Sequence, residues 1–261
     1  FHLGGRFFGT VGDYQSFYES SGRFRPGRPK VALLTSIFGP RNPNLGSMGA
    51  LVESLEKRGL NVYPIAGFLK RLDFVREIGP DLVVYVPHGR LAPGKADEAI
   101  AYLKENGVPL LCPLTVQEEY ASWVGSQKGM EGGLLSQNVV MPELDGGAEP
   151  FTVGALFPDE RGLNVPGAVL DRVETCASRV EKWLALRAKP NAEKKLAIVY
   201  YKGPGQNAMA AAALEVAPSL LNLLKRLRAE GYDLGNLPDS VEEFQARIQR
   251  QGPVLGAYAE G

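Results

Sequence analysis

The chain has 261 residues, 44% of them apolar and 22% charged, and no apolar run is long enough to cross a bilayer. We therefore expect a soluble globular protein with one large domain or two small ones. Lysine plus arginine equals aspartate plus glutamate at 29 each, so no net positive charge attracts nucleic acid or an anionic membrane surface.

Cysteine and histidine are too few for the commonest metal sites. Cys112 and Cys176 lie far apart in apolar or helical surroundings, so the sequence predicts neither a disulfide framework nor a thiolate metal site. The two histidines, His2 and His88, cannot supply the three imidazoles of a zinc site. We expect no metal site within this chain, because a bound ion would need carboxylates or a second chain.

The first half of the chain alternates short apolar runs with helical patterns. Residues 1–29 are expected to form a lead-in segment with a short helix near residues 13–18. Apolar runs then predict strands at residues 30–38, 61–66, 81–86 and 110–114, and periodic apolar positions predict helices at residues 47–58, 68–78 and 93–106. The alternation predicts a parallel sheet, that is, a flavodoxin-like or Rossmann-like α/β lobe over residues 30–165.

The second half is less regular. A linking helix is predicted within residues 166–190, from residue 168 to 188, where Pro190 ends it. A strand at residues 195–201 then starts a second, incomplete α/β unit at residues 191–261. A later helix carries an apolar stripe that is expected to be core: Leu220, Leu223, Leu224 and Leu227. The strand-loop-helix pattern that begins at Lys30 recurs from Lys195, which favours two α/β lobes. The alternative is that any two strand-loop-helix units look alike.

Glu143 and Asp145 are candidate catalytic residues because they lie two positions apart. On an extended strand both carboxylates face one side, where they can accept protons or weakly bind a divalent ion. The alternative is a turn in which Asp145-Gly146 closes a β-hairpin.

His88 is the third catalytic candidate. It follows the predicted third strand, at the carboxyl end where parallel sheets bind their ligands. A neutral imidazole there can carry a proton or act as an axial ligand to a transition-metal ion. The alternative is a loop histidine that is bonded to the backbone.

The loop Lys202-Gly203-Pro-Gly205-Gln206-Asn207 is a candidate substrate-binding segment. It follows a predicted strand and precedes a helix, and backbone amides in that position can hold a carboxylate or phosphate. The lysine precedes the glycines instead of following them, so the loop is not a nucleotide-binding P-loop. The alternative is a plain strand-to-helix turn with no ligand.

Four stretches resemble the family of the cobaltochelatase large subunit and the magnesium chelatase H subunit. They agree with it in order and spacing along nearly the whole chain: Pro29-Lys-Val-Ala-Leu-Leu with Leu55-Glu-Lys-Arg-Gly-Leu-Asn-Val-Tyr-Pro-Ile65; Pro142-Glu-Leu-Asp-Gly-Gly147; Trp183-Leu-Ala-Leu-Arg-Ala-Lys-Pro-Asn-Ala-Glu-Lys-Lys-Leu-Ala-Ile198; and Leu224-Lys-Arg-Leu-Arg-Ala-Glu-Gly-Tyr-Asp233. The segment Lys189-Pro190-Asn191-Ala192 is more similar to the cobaltochelatase branch than to the magnesium chelatase branch.

The resemblance implies a segment that binds a tetrapyrrole while a divalent ion is inserted, with cobalt or magnesium as the substrate ion. It implies ATP hydrolysis by separate AAA+ partner subunits, and a cytoplasmic location. The family's Gly-Thr-His-Gly motif does not occur in this sequence, so we expect an internal fragment of a longer protein that is inactive alone. A hypothesis of another class is a non-catalytic, two-lobed receptor for small ligands, since the fold does not decide between them.

Overall fold

The computed structural model describes residues 6–35, 45–67, 69–199, 210–211 and 214–251. The chain divides into two compact units, Phe1–Ala185 and Leu186–Gly261. The predicted loop at residues 202–207 lies outside the described residues, as do Ser36 to Phe38 of the first predicted strand.

The first unit contains eight strands, eight α-helices and one π-helical turn among its described residues. The strands are β1 Lys30–Thr35, β2 Asn61–Ile65, β3 Leu82–Val86, β4 Leu110–Leu111, β5 Leu114–Glu119, β6 Gly147–Ala148, β7 Thr152–Pro158 and β8 Asn164–Ala168. The α-helices are α1 Val11–Ser20, α2 Leu45–Lys57, α3 Arg71–Ile78, α4 Ala96–Glu105, α5 Tyr120–Gly125, α6 Gly132–Leu135, α7 Met141–Leu144 and α8 Leu170–Ala188. A π-helical turn, Ser136–Val140, joins α6 to α7.

Five strands form a parallel sheet in the order β2-β1-β3-β4-β6. Counted within the sheet this is the order 2-1-3-4-5 of flavodoxin-like folds, in which the chain reverses its direction of travel between β1 and β3. The predicted α/β class with a parallel sheet is therefore confirmed.

Both faces of this sheet are covered, which explains why its strands are continuously apolar. Successive residues point to opposite sides of a strand, so Ala32 and Leu34 enter one core while Val31 and Leu33 enter the other. Helices α1, α3 and α4 supply the first core, and α2 and α8 supply the second. The sheet is thus the middle layer of three.

Helix α1 contains the short helix predicted near residues 13–18, and it belongs to the core of the first unit. Tyr14 and Tyr18 are almost completely buried and pack against Tyr63. The Tyr14 hydroxyl donates to the Val62 carbonyl at 2.8 Å, and the Val62 N–H donates to the Tyr18 hydroxyl at 3.1 Å. These bonds satisfy backbone groups of edge strand β2, which would otherwise be open for pairing.

The strand predicted at residues 110–114 is interrupted at residues 112 and 113. Strand β4 ends at Leu111, because Pro113 has no N–H to continue the ladder. The chain then enters a second sheet of three strands, β5-β7-β8, in which β5 and β7 are parallel and β7 and β8 are antiparallel. The sequence did not predict this sheet.

In the second unit, α9 spans Val216–Ala229 and α10 spans Val241–Gln251, and two short strands, β9 Ala210–Ala211 and β10 Leu214–Glu215, pair antiparallel. The predicted strand at residues 195–201 is wrong over 195–199, where the backbone is irregular and Val199 is 93% exposed. The predicted leucine stripe of α9 is buried less than expected, since Leu223 is 45% exposed and Leu221 is the buried leucine. The predicted domain limits stay predictions.

Candidate functional site

An open recess lies at the carboxyl ends of the parallel strands. Its wall includes Ser47 from the start of α2, which follows β1, and Pro87 and His88, which follow β3. These are the two connections that flank the reversal point of the sheet, where ligands of such folds bind. The second sheet closes the other side through Thr115 to Gln117, Ala155, Leu156, Pro166 and Gly167.

Among the residues that the structure describes, the lining of this recess combines polar and apolar groups and includes no carboxylate, lysine or arginine. Asn138 is buried, and its Nδ2 lies 3.8 Å from Met130 Sδ. The Ser47 hydroxyl is buried and donates to the Gly167 carbonyl at 3.5 Å. Asn138 lies in the π-helical turn, a feature that occurs often at functional sites. The recess can therefore hydrogen-bond a ligand without repelling its negative charges.

His88 is the titratable side chain of this lining and is exposed. The structure places it directly after β3, at the carboxyl edge that the sequence indicated. Its backbone N–H donates to the Tyr85 hydroxyl at 3.4 Å. The imidazole can thus reach a ligand in the recess from a backbone that is tied to β3.

The structure does not bring Glu143 and Asp145 together as a catalytic pair. Glu143 is exposed on α7, whereas the Asp145 side chain is fully buried just beyond it. The extended setting is wrong, because residues 141–144 are helical. Asp145 and Gly146 do form the predicted turn, but β6 pairs parallel with β4, so this turn does not close a β-hairpin. Neither residue lines the recess.

Asp145 instead binds the segment that carries His88. Arg90 Nε donates to Asp145 Oδ1 at 2.7 Å, and the Leu91 N–H donates to Oδ2 at 2.6 Å. The sequence singled out Asp145 for its spacing from Glu143 and did not indicate these partners. The missed polar residues, Thr115, Gln117 and Asn138, meet through the second sheet and the π-helical turn, neither of which has a sequence signal comparable to an apolar run.

A second open recess lies beside β2, between α1 and α3. Aromatic side chains dominate its wall: Phe7, Phe8, Tyr14, Tyr63 and Phe74. It could accept a flat apolar group, but it offers few polar side chains that would orient one.

The two cysteines do not form a reactive site. Burial raises the pKa of Cys112 to about 12, with a smaller contribution from the negative charge of Asp145. Burial also raises the pKa of Cys176 to about 12. Within the described ranges, no three His, Cys, Asp or Glu side chains converge as a metal site would require. None of the helices described is both long and apolar enough to span a bilayer.

Comparison with known proteins identifies the family. The family described as CobN/Magnesium Chelatase matches residues 2–255. The magnesium-chelatase H subunit of Chlorobaculum parvum is 33% identical over 218 residues, which are 76% of this chain and 16% of that protein. The aerobic cobaltochelatase subunit CobN of Pseudomonas aeruginosa is 28% identical over 237 residues, which are 85% of this chain and 19% of that protein.

A solved structure shares the fold. The catalytic subunit of cobaltochelatase from Mycobacterium tuberculosis superimposes with a TM-score of 0.66 at 22% identity, over 87% of this chain and 21% of that one. This chain thus spans about a fifth or less of the proteins it resembles. Because the family match extends over nearly every residue, the chain belongs to the CobN/magnesium chelatase family.

Proposed function

We propose that this chain is a tetrapyrrole-binding segment of the large subunit of an ATP-dependent metal chelatase. Membership of the family supports a chelatase role, and the metal ion is then a substrate rather than a resident cofactor. The short share of each relative that is covered supports a segment whose chemistry is completed by polypeptide outside these residues. The tetrapyrrole and AAA+ ATPase subunits are the proposed partners, and the isolated chain is expected to be inactive in insertion.

The observation that carries this proposal is the neutral, polar recess with His88 at the carboxyl edge of the sheet. A tetrapyrrole bears carboxylate side chains, which acidic groups in the wall would repel, and the described part of the lining contains no acidic group. Gln117 and Asn138 supply side-chain amide groups that can donate hydrogen bonds to those carboxylates.

His88 supplies the chemical group of the recess. Metal insertion requires the pyrrole N–H protons to leave as the ion enters, so a base must be close to the macrocycle. A neutral imidazole can accept such a proton and release it to water. The proposed role of His88 is therefore to contact the ring and receive a proton, with Glu143 and Asp145 outside the recess.

We propose cobalt as the ion and a corrin precursor as the ring, on the pathway to cobalamin, because the segment Lys189 to Ala192 resembles the cobalt branch. The alternative is magnesium and protoporphyrin IX, which the 33% identity to a magnesium-chelatase H subunit favours. Binding of the two rings by the 261-residue chain distinguishes these alternatives.

Titration with each tetrapyrrole tests the proposal. We expect micromolar binding that shifts the Soret-type band of the ring and quenches tryptophan emission. Trp123 packs in the same cluster as Val116 and Ala155 of the recess wall, so Trp183→Phe leaves a single tryptophan reporter close to the site. His88→Gln is expected to raise the Kd about tenfold, a loss typical of one good ligand contact.

Phe74→Leu is the matched control, because Phe74 lines the aromatic recess and not the polar one. It should leave the Kd unchanged. If Phe74→Leu weakens binding while His88→Gln does not, the ring lies in the aromatic recess and the proposed site is wrong. If the unsubstituted chain binds neither ring, the tetrapyrrole proposal is wrong, and a small-ligand receptor is the remaining hypothesis.

A further inference from the structure

The connection from Pro87 to Leu91 forms hydrogen bonds with buried polar groups that the proposed chemistry does not use. Arg71, the first residue of α3, is 1% exposed. Its Nη1 donates to the Tyr85 hydroxyl at 3.1 Å and to the Leu91 carbonyl at 2.9 Å, and its Nε donates to the Gly67 carbonyl at 2.7 Å. A buried guanidinium thus joins the end of β3 to the end of the connection.

The Tyr85 hydroxyl continues this network along the connection. It accepts from Arg71 and from the His88 N–H, and its own proton points toward the carbonyls of Gly89 and Arg90, at 3.3 and 3.2 Å. A hydroxyl has one donor and two acceptor positions, so this oxygen is fully used. The backbone at His88 and at the two residues after it is therefore hydrogen-bonded to one atom, the buried hydroxyl oxygen of Tyr85.

Asp145 supplies a negative charge that binds the end of the connection, at Arg90 and Leu91. Its side chain is 0% exposed, whereas that of its partner Arg90 is 30% exposed. The carboxylate uses one oxygen for the Arg90 guanidinium and the other for the Leu91 N–H. The Gly89 N–H donates to the Gln137 carbonyl at 2.8 Å, and Gly89 has φ +93°, which a larger residue adopts only with strain. One conformation of the connection satisfies all of these groups.

We infer that Asp145 is a positioning residue, which fixes the connection after β3 and thereby sets the His88 imidazole at the mouth of the recess. The inference rests on the proposed function for the role of His88, but the positioning itself is a property of the ligand-free chain. It also gives a physical reason for an acidic residue in the Pro142-Glu-Leu-Asp-Gly146 stretch: the aspartate acts through the neighbouring connection and not on the substrate.

Nuclear magnetic resonance can observe this positioning directly, because the chain has two histidines. In a His2→Gln background, His88 gives the single imidazole Cε1–H resonance. Asp145→Asn preserves the shape of the side chain but removes the charge that holds Arg90. We expect the His88 resonance to move or to split into several positions without ligand, and the tetrapyrrole Kd to rise about tenfold or more.

Glu149→Gln is the matched control for a loss of stability alone. Glu149 forms an ion pair with Arg179 and accepts from Trp183 Nε1 at 3.3 Å, so the substitution breaks a charged contact of α8 and none of the connection. It should lower the melting temperature but leave the His88 resonance and the Kd as in the parent. The inference is overturned if Asp145→Asn leaves the resonance in place, or if Glu149→Gln moves it equally.

Arg90→Lys decides the question if Asp145→Asn does not fold. Lysine keeps the positive charge but cannot reproduce the planar geometry of the guanidinium, so a smaller displacement of the His88 resonance is expected. An unchanged resonance in Arg90→Lys would overturn the inference. If the parent chain binds no tetrapyrrole, the proposed function fails, while the ligand-free resonance still decides whether Asp145 positions His88.

Discussion

Gly154, on β7, lies where three parts of the first unit approach closely. A methyl group at this position would overlap Ser47 Oγ and lie 2.8 Å from Thr115 Cγ2 and 3.1 Å from the Gly167 carbonyl oxygen. Ser47, Thr115 and Gly167 all line the polar recess. The missing side chain of Gly154 therefore allows the walls of the recess to meet.

Gly154→Ala is expected to destabilise the chain by about 1–3 kcal/mol, because overpacking displaces neighbouring atoms. It should also weaken tetrapyrrole binding, since the displaced atoms belong to the recess wall. Urea unfolding and the ring titration measure the two effects. Gly133→Ala in α6 is the control: a methyl group meets nothing within 4 Å there, and we expect no loss of stability. Equal stability of the two variants would contradict the prediction.

Helix α8 is the element that covers the second face of the sheet. Its buried residues recur at helical spacing: Val173, Cys176, Ala177, Val180 and Leu184. Trp183 is half-buried at the margin of this core, and its indole N–H donates to Glu149. The helix therefore packs on the sheet through this apolar stripe.

Trp183→Ala is expected to cost about 3 kcal/mol, the lower end of the usual range of 3–5 for a tryptophan, because part of the ring is exposed. Lys182→Ala, one residue earlier and exposed, should change the free energy of unfolding by less than about 0.5 kcal/mol. Denaturant unfolding of both variants gives the comparison. A cost below about 1 kcal/mol for Trp183→Ala would mean that α8 contributes little to the stability of the fold.

At the scale of the element, the sequence was accurate where one signal dominated. The apolar runs predicted β1, β2 and β3, and the helix predicted at residues 168–188 corresponds to α8, each to within a few residues. Strand β8 was missed because it is largely exposed and contains Asn, Pro and Gly, so neither an apolar run nor a clear alternation marks it. The run at residues 195–199 was mistaken for a strand, because hydrophobicity alone does not specify a pairing partner.

Over the whole molecule, buried neutral acids make stability sensitive to alkaline pH. Burial raises the pKa of Tyr63 to about 12, and those of Tyr14 and Tyr18 further still. Burial also raises the thiol pKa of Cys112 and Cys176 to about 12. In the unfolded chain thiols ionise near about pH 8.5 and phenols near about pH 10. The unfolded state therefore binds fewer protons than the folded state above these values.

Because the folded-state pKa values are raised, the stabilisation is complete below the unfolded values and is lost as the pH rises toward the folded ones. We expect the urea midpoint to be lower at pH 10 than at pH 8. The double substitution Cys112→Ala and Cys176→Ala should reduce the part of this decline that begins near about pH 8.5. A midpoint that rises between pH 8 and pH 10 would contradict the prediction.

By itself, the sequence determined the fold class, the parallel sheet and the family resemblance, because these depend on hydrophobic pattern and residue order along the chain. It also placed His88 at the carboxyl edge, since a strand's end can be read locally. Only the tertiary structure showed that the second sheet faces His88 across the recess, and that Asp145 binds the connection that carries it. Asp145 and Arg90 are 55 residues apart in the sequence, and no local pattern encodes a contact between them. Asp145 is buried and bonded to Arg90 and Leu91 because of the way the chain packs. Such burial is a property of the folded molecule and is not encoded in the neighbouring residues.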